Sequence, residues 1–528
     1  MFVSVRFCLL ILDFLLFFCY TYFNYKEAQS HTMESILLSL PINILGIFFA
    51  GIAFLAGMLL LFLIRKTEYI IYFLLIWFPL ESLFLMYTPI EYFTYVKYVP
   101  ELFMYGLACG SFISYVRRAG RLLPKTPLIQ WFVAFVCVAG VSFFLNWYSP
   151  FVWMLGLRQV LRFMLLVFVI FWMDYDQGTL RAMMKLGISM ILLEAGFGLM
   201  QYVGGGSLDK YLFSTRTVSV GNTAILGGLE EFWTPGSRVF ATMGRYDRLG
   251  SFLALGLVML FPLYFYISKQ RQKIWYAAAM IIGLGTLYLT SSRASWIAAI
   301  VGMFVIGVVV KRDRRVMIAG AVVLGCALIY LIGFAVVKQN ISSITEKPTQ
   351  SFGERVFEAV SLRAWRESYD GYGRIFFIIN TPRMVIREFP FFGVGPGRYG
   401  GGVAAALLMT DVYDRLHLPF GIQNIYGQID NNWMSIWGET GTFGLLVWIG
   451  MFVSVMHMAW YVIQKTESRE EKMIAEGVLG FTAGLICMGF FGPYFEFRAL
   501  MFYYWTIAGI VMLYWYREKH RGNILEGK

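Results

Sequence analysis

The chain has 528 residues, of which 59% are hydrophobic and 14% charged, with a mean hydropathy of +0.64. A soluble protein carries nearer a quarter charged residues, and apolar runs of eighteen or more recur from end to end; composition therefore excludes a soluble enzyme and defines a polytopic membrane protein. The net charge of +12 calls for no nucleic acid, because membrane proteins concentrate Lys and Arg in their cytoplasmic loops.

The first apolar run, "FCLLILDFLLFFCYTYF", has Asp13 in its middle, aromatic flanks and no small-residue cleavage site. It reads as a retained span rather than a signal peptide. A bilayer core needs about 20 helical residues per crossing. Fourteen spans of that size are expected, at 7–24, 40–64, 69–88, 99–116, 128–147, 156–173, 181–203, 249–268, 274–290, 294–310, 316–336, 441–464, 474–491 and 499–516. When these alternate, the clusters "IRK" (64–66), "RRAGRLLPK" (117–125), "KQRQK" (269–273), "KRDRR" (311–315), "QKTESREEK" (464–472) and "REKHRGNILEGK" (517–528) all fall on one side. That side is assigned to the cytoplasm, together with both termini. The cysteines, Cys8, Cys19, Cys109, Cys137, Cys326 and Cys487, all lie in apolar runs and read as small buried hydrophobes. No CxxC pair or Cys/His cluster points to a metal. "DYD" (174–176) falls on the cytoplasmic side and reads as loop charge rather than a nucleotide-sugar motif.

Two long segments are then external, 204–248 and 337–430. The expected organisation is a transmembrane bundle over 1–336, a large external loop over 337–430, and C-terminal spans with a cytoplasmic tail over 431–528. In "GRIFFIINTPRMVIREF", Ile375, Ile378, Ile379 and Val385 recur among charges at helical spacing, which predicts amphipathic helices on the membrane's outer face. Arg293, in "LTSSRASW", stands on this side between two spans, with Arg238, Arg245, Arg248, Arg363, Arg366, Arg374, Arg383, Arg387 and Arg398. An external arginine excess opposes the usual charge bias, and guanidinium forks suit phosphate. A diphosphate held in a lipid setting implies a polyprenyl-diphosphate-linked substrate, whose leaving group in glycosyl transfer is the diphosphate itself. Fixed cations then act where negative charge develops.

The order "LTSSRASW" (289–296), "GR" (373–374), "FPFFGVGPGRYG" (389–400) and "DNNWMSIWGETGTFGLL" (430–446) resembles the O-antigen ligase and O-antigen/exopolysaccharide polymerase superfamily. The resemblance covers about 290–446. It implies an all-α polytopic C-type glycosyltransferase, metal-independent and without cofactor, acting on undecaprenyl-diphosphate-linked glycans at the outer face of the bacterial cytoplasmic membrane. Its diphosphate-binding arginines match Arg293 and Arg374. Its catalytic histidine matches Asp430, a departure that speaks against a lipid A-core ligase and for a repeat-unit polymerase. His417 is a second external candidate for the base.

Each candidate also has a plain structural reading. Arg293 could anchor a helix end by snorkelling, and Arg374 could open an ordinary helix. Asp430 precedes Asn431 and Asn432 ahead of a span, where a helix N-cap is its natural role. Asn431 and Asn432 are kept as substrate-binding candidates with Arg245, Arg248 and Arg158. Asp247 could neutralise one of its flanking arginines, and Arg158 is expected to open a span. Glu439 could be a helix-packing contact, and "GVGPG" (393–397), lacking Lys-Ser/Thr, is read as a tight turn rather than a P-loop. Trp433 and Tyr399 are candidates to stack on sugars. Expected partners are the lipid-linked donor, a glycan acceptor, membrane lipids and a chain-length regulator. The rival functions are a ligase of the finished glycan and, from another class, a lipid-linked oligosaccharide flippase.

Overall fold

A computed structural model of the chain describes residues 66–88, 90–119, 126–207, 209, 217–220, 223–226, 237–322, 325–326, 329 and 362–525. The expected spans 7–24 and 40–64, most of 316–336, Cys8, Cys19 and 337–361 lie outside them. Apart from one hairpin, Thr217–Val220 (β1) paired antiparallel with Thr223–Leu226 (β2), all regular structure among the described residues is helical.

The long helices in chain order are α1 (Glu68–Tyr87), α2 (Ile90–Ala119), α3 (Pro127–Asn146), α4 (Pro150–Met173), α5 (Gln177–Val203), α6 (Tyr246–Leu260), α7 (Gln270–Leu289) and α8 (Arg293–Val310). Four short helices follow: α9 (Leu362–Asp370), α10 (Arg374–Asn380), α11 (Gly402–Ala406) and α12 (Asp411–Arg415). Three long ones complete the chain: α13 (Asn432–Lys465), α14 (Arg469–Met488) and α15 (Arg498–Leu525). Among the described residues nine helices are long and apolar enough to cross a membrane. Helices α7 and α14, each of 20 residues, stand where two further spans were expected. An all-α polytopic membrane protein is the outcome.

Helices suit this environment because each satisfies its own backbone where no water is available. Their starts are set by ordinary caps. Thr126 accepts from the Ile129 N–H ahead of Pro127, Asp176 accepts from Gly178 and Thr179, and Ser468 from Glu471. Helix α15 is the axis of the bundle, with 94% of its apolar window buried. Helices α8 and α14 approach most closely through small residues. A Cβ on Gly484 would sit 2.4 Å from the Ala298 carbonyl oxygen, and one on Gly480 2.6 Å from that of Gly302. Such stripes let backbones touch where lipid supplies no hydrophobic drive.

Connectivity sorts the loops onto two ends. At one end Asn146 Nδ2 donates to the Gly393 carbonyl (3.0 Å), Ser82 Oγ to that of Met243 (3.1 Å) and Asn431 Nδ2 to that of Phe490 (3.1 Å). At the other, Arg118 bonds the Trp172 carbonyl, Arg517 that of Tyr175, Lys311 the Tyr266 hydroxyl, and Gln177 bonds Glu471. The Lys/Arg-rich stretches around 117–118, 311–315, 464–472 and 517–521 thus share this second end.

Two expectations are corrected. The described cysteines are not buried: Cys137 and Cys326 are exposed on helix surfaces, and Cys109 and Cys487 are half-buried. An outward-facing thiol is tolerated on a span because lipid is as apolar as a core. Helix α10 does not simply lie on a surface either. Phe377 and Val385 are completely buried, and Thr381 hydrogen-bonds the buried Tyr399 at 2.8 Å, tying the segment into the protein.

Candidate active site

The site is organised by a break in α13. Gly441 has φ 67°, so the helix is two pieces meeting at a kink. The groups freed there find partners in the "FPFFGVGPGRYG" segment. The Gly438 and Glu439 carbonyls accept from Val394 and Gly395 (2.9 Å each), while Thr442 and Phe443 N–H donate to the Pro390 and Phe391 carbonyls (3.0 and 3.1 Å). Irregular backbone survives at such depth only when protein satisfies it. Gly393, Gly395, Gly397 and Gly400 all have positive φ, so the tight-turn reading of "GVGPG" holds. Glu439 does more than pack between helices: its buried carboxylate accepts from the Gly397 N–H (2.9 Å) and the Tyr399 N–H (3.4 Å) and fastens the turn to the kink.

Just before this helix, the cap is Asn431, whose side chain accepts from Met434 N. Asp430, at φ 50°, is displaced from that role and pairs with Arg374 instead. Arg374 Nη2 lies 2.6 Å from Asp430 Oδ2, and Arg374 Nε donates to the Asp430 carbonyl at 3.1 Å. Both side chains stay about one-third exposed. Tyr494, in the turn between α14 and α15, links this pair to the rest. Its phenol, pushed up by burial and then by Asp247, hydrogen-bonds Ser292 beside Arg293 and lies within electrostatic reach of Arg374 and Asp430. Asp247 neutralises Arg245 at 3.1 Å, as its position between two arginines implied. The regions of Arg293, Arg374, Asp430 and Arg245 therefore converge on one tyrosine.

Beside them opens a cavity of about 990 Å³. Its wall carries six cations, Lys97, Arg158, Arg162, Arg245, Arg248 and Arg498, against three carboxylates, Glu81, Glu101 and Glu496, a surplus of three positive charges. Phe132, Val136, Phe151, Met154 and Leu165 make part of the wall apolar. Glu101, 2% exposed, is gripped by three arginines: Arg158 at 2.6 Å, Arg162 at 3.1 Å, and Arg498. Arg498 also forks onto Glu81, with Nε 2.8 Å from Oε2 and Nη2 2.8 Å from Oε1. Cations that outnumber buried carboxylates, beside apolar wall, suit an amphipathic anion.

Several sequence expectations are redrawn by this geometry. Arg158 does not open a span: α4 begins at Pro150, and Arg158 lies two turns inside, held on Glu101. Asn432 turns inward, its Oδ1 accepting from Phe495 N at 2.8 Å and its Nδ2 lying 3.5 Å from Glu496 Oε1. Trp433 and Tyr399 are buried, the first edge-on to Phe495 and the second stacked on Tyr413, so neither offers a free face to a sugar. His417 is exposed beyond the end of α12. "DYD" behaves as loop charge, Asp174 pairing with Arg517 and Asp176 capping α5. Sequence reasoning missed Glu81, Glu101, Arg162, Arg498 and Glu496. A signal for three of them was present: Glu81, Glu101 and Arg162 are ionisable residues within apolar spans, which are functional candidates by default. Among the described residues, no three His, Cys, Asp or Glu side chains gather in a metal-binding group.

Fold and site together define a polytopic α-helical membrane protein with a cation-lined cavity at one end of its bundle. Residues 278–449 match the family model described as O-Antigen ligase. The match supports the O-antigen ligase and polymerase superfamily that the motifs implied, and with it a membrane enzyme of O-antigen-related assembly. The matched stretch holds Arg293, Arg374, the glycine turn and Asp430–Asn432; Arg158, Arg245 and Arg248 precede it. No curated protein matches the chain.

Proposed function

We propose that the protein is a repeat-unit polymerase: a metal-independent glycosyltransferase that joins undecaprenyl-diphosphate-linked oligosaccharides at the outer face of the bacterial cytoplasmic membrane. The observation that carries this reading is the cavity, whose cationic surplus lies beside apolar wall and the Arg293–Arg374 region. A lipid-borne diphosphate has that same division into anion and hydrocarbon. In the proposed orientation the Lys/Arg-rich end faces the cytoplasm, with both chain termini, and the cavity opens outward.

The proposed reaction follows from charge. As the bond from the anomeric carbon to the diphosphate oxygen breaks, its electron pair moves onto the diphosphate, and guanidinium groups already in place stabilise it. Arg293 and Arg374 are the candidates for this contact, with Arg158, Arg245 and Arg248 along the cavity wall. The acceptor, a hydroxyl of a second lipid-linked unit, attacks from the face opposite the leaving group, so the anomeric configuration inverts. Asp430 holds Arg374 through two hydrogen bonds and so orients one of the diphosphate ligands. Replacing the family's histidine by this paired carboxylate favours polymerase over lipid A-core ligase.

The test is purified protein in detergent with lipid-linked repeat units as both donor and acceptor. A polymerase lengthens the glycan while it stays on the lipid. A ligase leaves these units unchanged and transfers glycan only when lipid A-core is added. A flippase yields no covalent product in either mixture, and that outcome would remove the enzymatic reading.

A further inference from the structure

Three carboxylates line the cavity, and they are not equivalent. Glu81 is forked by Arg498, and Glu101 is shared by Arg158, Arg162 and Arg498. Asp430, outside the cavity wall, has one oxygen taken by Arg374. Glu496 differs: among the described residues its carboxylate oxygens meet only neutral donors. Oε2 accepts the Gly402 N–H at 3.2 Å, Oε1 faces the Asn432 amide at 3.5 Å, and the Gln159 side chain supplies a further hydrogen bond. Arg162, the adjacent cation, places Nη2 on the Glu496 backbone carbonyl at 3.3 Å rather than on the carboxylate.

We propose that Glu496 is the general base of glycosyl transfer, receiving the proton of the acceptor hydroxyl. This rests on the glycosyltransferase reading above and adds a catalytic residue to it. In the step, the acceptor oxygen bonds to the anomeric carbon while its proton passes to a Glu496 oxygen. The carbon–oxygen bond to the diphosphate breaks with its electron pair leaving on the diphosphate, and Glu496 then returns its proton to water. A base must be free to accept a proton, which a carboxylate locked between guanidinium groups is not. Burial pushes the Glu496 carboxyl up to about 7, against the lowering effect of the Gly402 N–H, Arg162 and Gln159. The charged groups facing it are Arg162 of α4 and Glu439 of α13. Arg498, two residues along its own segment, is directed to Glu81 and Glu101. A group near 7 is a mixture of acid and carboxylate at neutral pH, the condition under which general bases act best.

The experiment uses full-length protein in detergent, with undecaprenyl diphosphate as the binding probe and lipid-linked repeat units as substrate. Glu496→Gln keeps an oxygen for the Gly402 N–H and cannot take up a proton. The expected result is unchanged undecaprenyl diphosphate binding with turnover lowered about 10²–10⁴-fold. In the wild type, turnover falls as pH drops below about 7, because only the ionised form accepts the proton. Glu496→Asp retains partial turnover and that acid limb, whereas Glu496→Gln loses the limb. Wild-type turnover in Glu496→Gln, or an acid limb that persists in it, overturns the assignment. So does loss of undecaprenyl diphosphate binding in both variants, which would make Glu496 part of the donor site. If wild-type protein neither binds the probe nor extends glycans, the glycosyltransferase reading itself fails, and the assignment with it.

Discussion

The two ends of the bundle use the same charged residues in opposite ways. At the Lys/Arg-rich end, Arg181–Glu470 and Arg517–Asp174 are ion pairs with substantially exposed partners, which solvent and salt screen. Lys311–Glu476 is the buried exception there, one cation matched to one carboxylate. At the cavity end, arginines outnumber acids and crowd onto carboxylates that are almost wholly buried, as Glu101 does with its three partners. Matched, exposed pairs stabilise little and ask for no ligand. A half-enclosed wall on which cations outnumber carboxylates is suited to receive an anion. The lesson is that the count of arginines says less about function than the balance of charge around each one.

The contrast can be broken by mutation. The largest effect is expected from Arg293→Ala and Arg374→Ala, each lowering glycan extension about 10²–10³-fold if these groups stabilise the leaving diphosphate. Arg181→Ala at the opposite end should leave the rate unaltered, and equal losses at both ends would erase the distinction. Next is Glu101→Gln, which leaves three arginines without their shared partner. A loss of about 3–5 kcal/mol is expected, read as a lower unfolding midpoint in detergent, since the cost lies in uncompensated buried charge. Gly441→Ala should cost about 1–3 kcal/mol from strained backbone alone and more from contact with Phe391, whose carbonyl carbon lies 2.4 Å from the added Cβ. Its rate should fall with it, because the kink holds the glycine turn. Smallest is Asp430→Asn: losing one charge-assisted hydrogen bond to Arg374 should weaken donor use about tenfold, seen chiefly in KM. A loss in kcat as large as that of Glu496→Gln would return the role of base to Asp430.

Much of the fold was legible because span length and apolar content are local properties. Each described helix from α1 to α8 and α13 to α15 lies where an apolar run was expected, though α2 and α13 each begin nine residues before the expected 99 and 441, and α4 six before 156. The early turns of α2 and α13 carry Lys97 and Asn432, Ser435 and Glu439, polar residues that hydropathy does not register as helix. The roles of Glu439 and Asp430 were ambiguous for a related reason. Whether an acid before a helix caps it or pairs elsewhere depends on its φ and on which cation lies opposite, and Asp430 at φ 50° faces an arginine 56 positions earlier. Tyr399 and Trp433 were misjudged because an aromatic on a loop or helix start looks alike in sequence whether buried or open.

By itself the sequence determined a helical membrane protein, its Lys/Arg-rich end, the Arg293–Arg374–Asp430 motif set and the glycine turn, since each depends on residues close together in the chain. Only tertiary structure decided which charges meet. Arg498 reaches Glu81 across 417 positions and Glu101 across 397, while Glu496, just before it in the same turn, has no cation on its carboxylate among the described residues. Pairing and desolvation are set by distances through space, and two residues of one turn acquire different chemistry from neighbours that no local pattern encodes.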